Sequence, residues 1–471
     1  MGSVLIYLVD CLWVGVLVFS IARHRLRFAV MPLSWVAVAH LIFFASPPVV
    51  APAMVGLVHL MASLAILAGY GVVMAGRTLP PPKQARRPLT YIHVDNYAVQ
   101  TSFLIFCLLL VLVTKLLALM QGASLVDVLF GMRVGYRARV SPLIALIITF
   151  TSRAPVVGLA LGRLWLETVS RKGIRILWWT LAIAFLTTGF ATGGRTALAF
   201  PLLVILVVDI YALAVLKIRQ SEVKKAARVV FYSLLGMVVF LGMSYQTLFR
   251  GRAPESFDEA FRRFQQVLSS EVGGNEGRTL GKELGSGLND SVGFVVVKYG
   301  NEIPFAYGFS VYAMAVNPIP RVLWQSKPPG WGQRLAFEVL GKTPGDAFGT
   351  SMAAGISGEA YANGGFAGVL LFGFLFGLLF GLIAKKLLFP GSLLEAAIWL
   401  AALTWMFGLY RGDWLSNVNR GIYCLLSAAL GYWFLRVFFG RGAYYVIADV
   451  DGFPANQDAL SGGRRLGEAN D

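Results

Sequence analysis

Two stretches of the chain set basic side chains among glycine, proline or aromatic residues in a way that suits anion binding. Arg195 stands in Thr192-Gly-Gly-Arg195-Thr-Ala-Leu, between two glycines and the start of an apolar run. An anion held there would meet both a guanidinium and the N-terminal amides of the following helix. Arg321 and Lys327 flank Trp324 among prolines, a rigid segment that presents charge in fixed directions. Arg250, Arg252, Arg334 and Arg411 add cations in or beside the same polar stretch. That stretch, residues 249–360, holds eleven Lys and Arg and eleven Asp and Glu, so its net charge is near zero. Glu359 lies in Gly358-Glu359-Ala-Tyr361-Ala-Asn363-Gly-Gly365 next to an apolar run, where partial desolvation raises a carboxyl toward the range of a working base. Asp346 and Glu338 are the next candidates for a base, and Tyr361 shares the Glu359 motif. Plainer roles stay open for most of these residues. They are interface snorkelling for Arg195, cation–π contact with Trp324 for Arg321 and Lys327, and salt bridges for Arg250, Arg252 and Arg334. Arg411 has Asp413 for local pairing, and Glu359 is also a favourable helix N-terminal charge.

Elements that position these residues follow from composition. Of 471 residues, 57% are hydrophobic and 14% charged, against about 25% charged in an average soluble domain. Mean hydropathy is +0.68. An ordinary cytosolic enzyme, a disordered chain and a secreted disulfide scaffold are all excluded. The reading is an all-α polytopic membrane protein. Apolar runs predict eleven transmembrane helices near residues 3–21, 29–47, 52–75, 98–120, 142–162, 176–192, 196–216, 229–248, 364–384, 392–410 and 419–438. Cys11, Cys107 and Cys424 all fall inside these runs, so no disulfide framework is expected. The first run has no basic residues before it and is followed by Arg23, Arg25 and Arg27, which predicts a retained helix.

Basic residues sort by parity. Alternate loops, beginning with Arg23–Arg27, hold eighteen Lys and Arg against six in the opposite short loops. The positive-inside rule then predicts a periplasmic N-terminus and a cytoplasmic C-terminus in a bacterial inner membrane. The formal charge of +17 belongs largely to that cytoplasmic side, so a nucleic-acid partner is not expected. Predicted organisation is transmembrane helices 1–8 over 1–248, a periplasmic cap over 249–360, helices 9–11 over 361–440 and a mobile cytoplasmic tail over 441–471. A folded helical cap is expected because Ser256-Phe-Asp-Glu259 reads as a capping box, with Phe257, Phe261, Phe264 and Leu268 at helical spacing behind it. Val292–Val297 and the segment from Tyr307 supply two further apolar stretches. Within the spans, Arg153 is expected to pair with Asp209 and Lys115 with Asp10. His40 and His59 are expected to make interhelical hydrogen bonds, and glycines of the ninth span at four-residue spacing predict close helix packing.

Several motifs carry a family resemblance. Tyr307-Gly-Phe-Ser-Val-Tyr312, followed by Asn317-Pro-Ile-Pro-Arg321-Val-Leu-Trp324-Gln-Ser-Lys327-Pro328, resembles a pattern in Wzy-type oligosaccharide repeat-unit polymerases of O-antigen, capsule and exopolysaccharide synthesis. The Arg195 and Glu359 motifs and the large late outer loop match as well. The resemblance implies a GT-C-related fold and metal-independent glycosyl transfer on the periplasmic face, with no cofactor. A glycan carried on undecaprenyl diphosphate would be moved onto a sugar hydroxyl of another lipid-linked repeat unit. Membrane lipid is then a partner, and a chain-length-regulating membrane protein is a possible one. In that scheme the arginines, Lys327 and Tyr361 bind the diphosphate or the substrate, and Glu359, Asp346 or Glu338 serves as the base. Two rivals remain. An O-antigen ligase is expected to use a histidine of the outer loop, and this loop has none. A non-enzymatic flippase of lipid-linked sugars would line a central path with charges such as Arg153 and Asp209.

Overall fold

The computed structural model describes residues 2–45, 48–75, 90–94, 96–120, 154–168, 171–191, 195–216, 288–316, 326–341, 352–388, 392–412, 414–439 and 443–447. Isolated residues between 228 and 237, between 258 and 266, and at 319, 324 and 390 complete it. The described helices are α1 (Gly2–His24), α2 (Pro32–Phe43), α3 (Pro52–Ala75), α4 (Tyr97–Met120), α5 (Ala154–Thr168), α6 (Lys172–Ala191) and α7 (Arg195–Ala214). Then follow α8 (Leu288–Lys298), α9 (Phe309–Val316), α10 (Trp331–Leu340), α11 (Gly355–Leu388), α12 (Leu393–Arg411) and α13 (Trp414–Phe439). Strands β1 (Thr90–Val94) and β2 (Ala443–Ile447) pair antiparallel as a two-stranded ribbon. The first residues of the expected tail are therefore tied to the segment before α4, a pairing that the all-helical expectation did not include.

Four helices are long and apolar enough to cross a membrane unaided: Val4–His24, Pro52–Ala75, Tyr97–Leu117 and Gly355–Leu388. Their burial is partial, and large apolar side chains such as Val18, Phe19, Leu371, Trp433 and Phe438 stand exposed on α1, α11 and α13. Exposed apolar surface on that scale belongs against lipid. This is a membrane protein built almost entirely of helix. The expectation of eleven crossings is corrected to these four among the described residues, and the reason is physical. An apolar run reports burial without saying whether lipid or protein does the burying. The second expected span is a 12-residue helix, α2, after a short 3₁₀ turn, which reaches about 18 Å against a hydrocarbon core of about 30 Å. The fifth ends in α5, whose 15 residues are buried almost throughout and pack against α4, α6, α7, α12 and α13. The expected eighth span, 229–248, lies mostly outside the described residues.

The tightest helix pair joins α3 and α11. A Cβ at Gly377 would lie 2.1 Å from the Ile66 carbonyl oxygen, and one at Gly69 would lie 2.2 Å from that of Phe374. Only hydrogen fits at these crossings, which is the close packing that the glycine spacing predicts.

Hydrogen bonds sort the helix ends. Asp290 Oδ1 accepts from the Val49 amide at 2.7 Å, placing α8 over the α2–α3 connection. At the opposite end, Arg27 Nε donates to Ala214 O at 3.0 Å, a cation on the carbonyl end of α7. Lys386 Nζ reaches Glu395 Oε1 at 2.8 Å at that same end. The described part of the expected cap at α8 and the basic residues Arg27 and Lys386 thus occupy opposite ends of the bundle.

Candidate active site

At the cap end, α11 does not run straight. Gly364 and Gly365 interrupt it, and Gly365 has φ +60° and ψ −145°, a backbone state open to glycine and hardly to any other residue. The break leaves a short lead segment, residues 355–363, ahead of the long crossing helix. It carries Ser357, Glu359, Tyr361 and Asn363, all buried. Its freed C-terminal carbonyls find partners outside the helix, since Ala306 N donates to Ala362 O at 2.8 Å. Asn363 Nδ2 donates to Ser310 Oγ at 2.8 Å, and Phe305 lies 5.9 Å, edge-on, from Tyr361. The two sequence motifs, Tyr307–Ser310 and Gly358–Gly365, are therefore in direct contact.

Five more elements close around the lead segment. Gly355 stands where a Cβ would lie 3.0 Å from Tyr410 O and 2.6 Å from the Phe44 ring. Tyr410 Oη lies 2.9 Å from His40 Nδ1, and His40 Nε2 lies 3.2 Å from Asp10 Oδ1, within ion-pair range. His59 sits with its ring centroid 5.5 Å from that of His40. Its Nε2 is 2.9 Å from Asn289 Oδ1, and its Nδ1 is 3.1 Å from Ser357 Oγ. Trp13 Nε1 donates to Ser63 Oγ at 3.0 Å one turn further along α3. Glu359, two residues after Ser357, is 1% exposed. Helices α1, α2, α3, α8, α11 and α12 thus all contribute to one buried polar cluster. Among the described residues no group of three His, Cys, Asp or Glu side chains converges in the manner of a metal site.

The cap forms a second cluster. Arg334 Nε donates to Glu338 Oε1 at 2.7 Å along α10, and its guanidinium carbon lies 4.1 Å from the Phe309 ring centroid. Tyr299 donates its hydroxyl hydrogen to Glu338 Oε2. Burial, then the Glu338 carboxylate, push the Tyr299 phenol well above its ordinary value, with Arg334 offsetting part of the rise. Both oxygens of Glu338 are engaged, so this carboxylate ties α10 to the end of α8.

The other sequence candidates distribute as follows. Glu359 and Tyr361 share the lead segment, while Arg334 and Glu338 pair with each other in the cap. Lys327 Nζ donates to Ile319 O at 3.0 Å, which holds its own loop together. Arg195 is the first residue of α7 and Arg411 the last of α12, so both backbones stand at the cap end. Their side chains lie outside the described residues, as do Arg250, Arg252, Arg321 and Asp346 entirely. Two expected intramembrane pairs take other partners. Asp209 is held by Arg163, Nε to Oδ1 at 2.6 Å and NH2 to Oδ2 at 2.9 Å, and by the Tyr232 hydroxyl. Arg163 lies one turn from the end of α5, level with Asp209 near the end of α7, whereas Arg153, the expected partner, lies outside the described residues. Lys115 donates to Thr187 Oγ1 at 2.5 Å, and Asp10 faces His40 instead.

Asp10, Asn289, Ser357 and Tyr410 were missing from the sequence candidates. One signal existed for Asp10, a carboxylate within an apolar run. For Asn289, Ser357 and Tyr410 nothing in the local sequence marks them. No known protein family, curated protein or solved structure matches the chain.

Proposed function

We propose that this protein is a membrane glycosyltransferase that polymerises undecaprenyl-diphosphate-linked oligosaccharide repeat units, on a GT-C-related helical scaffold with its cap in the periplasm. The observation that carries the reading is the contact between the Tyr307–Ser310 and Gly358–Gly365 motifs, which bear the polymerase resemblance. It buries Glu359 on a short helix at the cap end. In this scheme Glu359 holds the acceptor sugar. Arg195, Arg411 and the basic residues of the cap neutralise the departing diphosphate, whose oxygens gain charge as the glycosidic bond forms. The anomeric C–O bond to the diphosphate breaks, the acceptor oxygen bonds that carbon, and the hydroxyl proton leaves to a base at the cap end. Lipid-facing surface on α1, α11 and α13 suits a substrate whose carrier stays in the bilayer.

A second reading, a ligase-like transfer of glycan to a different acceptor, draws support from His40 and His59. They bring to the cap end the imidazoles that the loop sequence lacks. Undecaprenyl-diphosphate oligosaccharides extracted from cells lacking the protein, added to the purified full chain in nanodiscs, separate the readings. A ladder of lengthened lipid-linked products, lost in Arg195→Ala and Glu359→Gln, is the polymerase result. No lengthening, with glycan appearing on an added acceptor, is the ligase result. Transbilayer movement of the substrate without any new bond would leave a flippase.

A further inference from the structure

We infer that Ser357, His59 and Asn289 form a proton relay in which Ser357 takes the proton of the acceptor hydroxyl and His59 receives that of Ser357. The inference rests on the glycosyl-transfer reading and adds to it the route by which the proton leaves.

The hydrogen-bond directions are fixed by one carbonyl. Asn289 places its side-chain nitrogen 2.6 Å from Phe44 O, and a backbone carbonyl only accepts. The amide is therefore oriented with Oδ1 toward His59, where it too only accepts. His59 Nε2 must carry the ring hydrogen, which leaves Nδ1 as the basic nitrogen. That lone pair faces Ser357 Oγ at 3.1 Å, within reach for proton transfer. Asn289 is thus a positioning residue that selects the tautomer. Ser357 stands on the lead segment two residues before Glu359. Residues two apart on a helix do not face each other, so Glu359 holds another part of the acceptor sugar. The reacting hydroxyl passes its proton to Ser357 Oγ as the Ser357 proton passes to His59 Nδ1. The imidazolium that forms appears in the same step as the charge on the departing diphosphate, and it returns the proton to water after product release. Titratable and charged groups around His59 are His40 on α2, behind it Asp10 on α1 and Tyr410 on α12, Glu359 on α11 and Asp290 on α8.

The test uses the full chain in nanodiscs with the extracted undecaprenyl-diphosphate oligosaccharides. Wild type should lose kcat at low pH as His59 becomes protonated. His59→Gln should lower kcat by about 10²–10⁴-fold with KM near wild type, and the residual activity should lack that acid limb. Ser357→Ala should lower kcat, while Ser357→Thr restores most of it by keeping the hydroxyl. Glu359→Gln should lower activity sharply, and its residual turnover should retain the acid limb. A folded His59→Gln protein with wild-type kcat and an unchanged acid limb would overturn the relay, as would an acid limb that vanishes in Glu359→Gln alone. Should His59→Gln fail to fold, the Ser357 pair decides: equal loss in Ala and Thr counts against the relay, and rescue by Thr supports it. Nitrogen-15 histidine spectra of the wild type read the tautomer without substrate. A proton on Nε2 supports the relay and one on Nδ1 removes it, so the relay and the polymerase reading fail separately.

Discussion

Two polar networks lie within the helices, and they are built on opposite plans. Near the basic end, Arg163, Glu167, Asp209 and Arg228 make two cations and two carboxylates, with Tyr232 closing on Asp209. Every charge has an opposite within 4 Å, and the Arg163–Asp209 contact is bidentate, so formal charge sums to zero in place. At the cap end, the chain Asn289–His59–Ser357 carries no ion pair: the Asn289 amide orients the His59 ring, and the imidazole and the Ser357 hydroxyl can each both donate and accept a hydrogen bond. One arrangement resists any change of protonation, because losing a single charge strands its partner. In the proposed relay only His59 gains a charge, while Ser357 is neutral before and after the transfer. Burial alone does not distinguish a clamp from a relay. The donor and acceptor chemistry of the members does.

The sharpest break of this comparison is a pair of substitutions. Asp209→Asn should destabilise the protein by about 3–5 kcal/mol, the cost of stranding buried cations, while folded molecules keep near wild-type specific activity. His59→Gln should do the reverse, with the thermal midpoint nearly held and turnover lost. Midpoints in detergent, measured beside turnover, check both, and parallel losses in both variants would erase the distinction. Next in size is the crossing on which the lead segment rests. Gly377→Ala should cost about 1–3 kcal/mol by overpacking against Ile66 O. Gly15→Ala, with open space around its Cβ, should be neutral or slightly stabilising in the same assay. The smallest effect concerns the cap. Tyr299→Phe should cost about 1 kcal/mol near neutral pH. The folded pKa of Tyr299 is raised, so its contribution is fully present below the ordinary phenol value of about 10 and declines as pH rises through the higher folded value. Stability curves of wild type and Tyr299→Phe should therefore converge only in strong alkali.

Sequence patterns reached as far as local physics extends. Hydropathy located every described helix from α1 to α7 and from α11 to α13, because a buried helix must be apolar whatever buries it. It did not separate lipid-facing from protein-buried runs, as α5 shows. α10 escaped notice because Trp331–Leu340 is too polar to register as an apolar run, although its Arg334–Glu338 spacing and the left-handed Gly341 cap are helix signals in hindsight. Glu359 was legible from its glycine-rich setting. Its companions were not, since Ser357 and His59 stand 298 positions apart and meet only through the α3–α11 crossing. Asp209 was recognised as needing a cation, and Arg163 meets that need from α5, a match that depth estimated from sequence is too coarse to single out.

The β1–β2 ribbon carries a consequence for biogenesis. Its strands are roughly 350 residues apart, so Thr90–Val94 leaves the ribosome long before Ala443–Ile447 exists. At about 5–20 residues per second the first strand waits for about 20–70 s. Ribbon closure is therefore among the last assembly events. It joins the segment ahead of α4 to the residues after α13 only once the whole helical bundle has been synthesised.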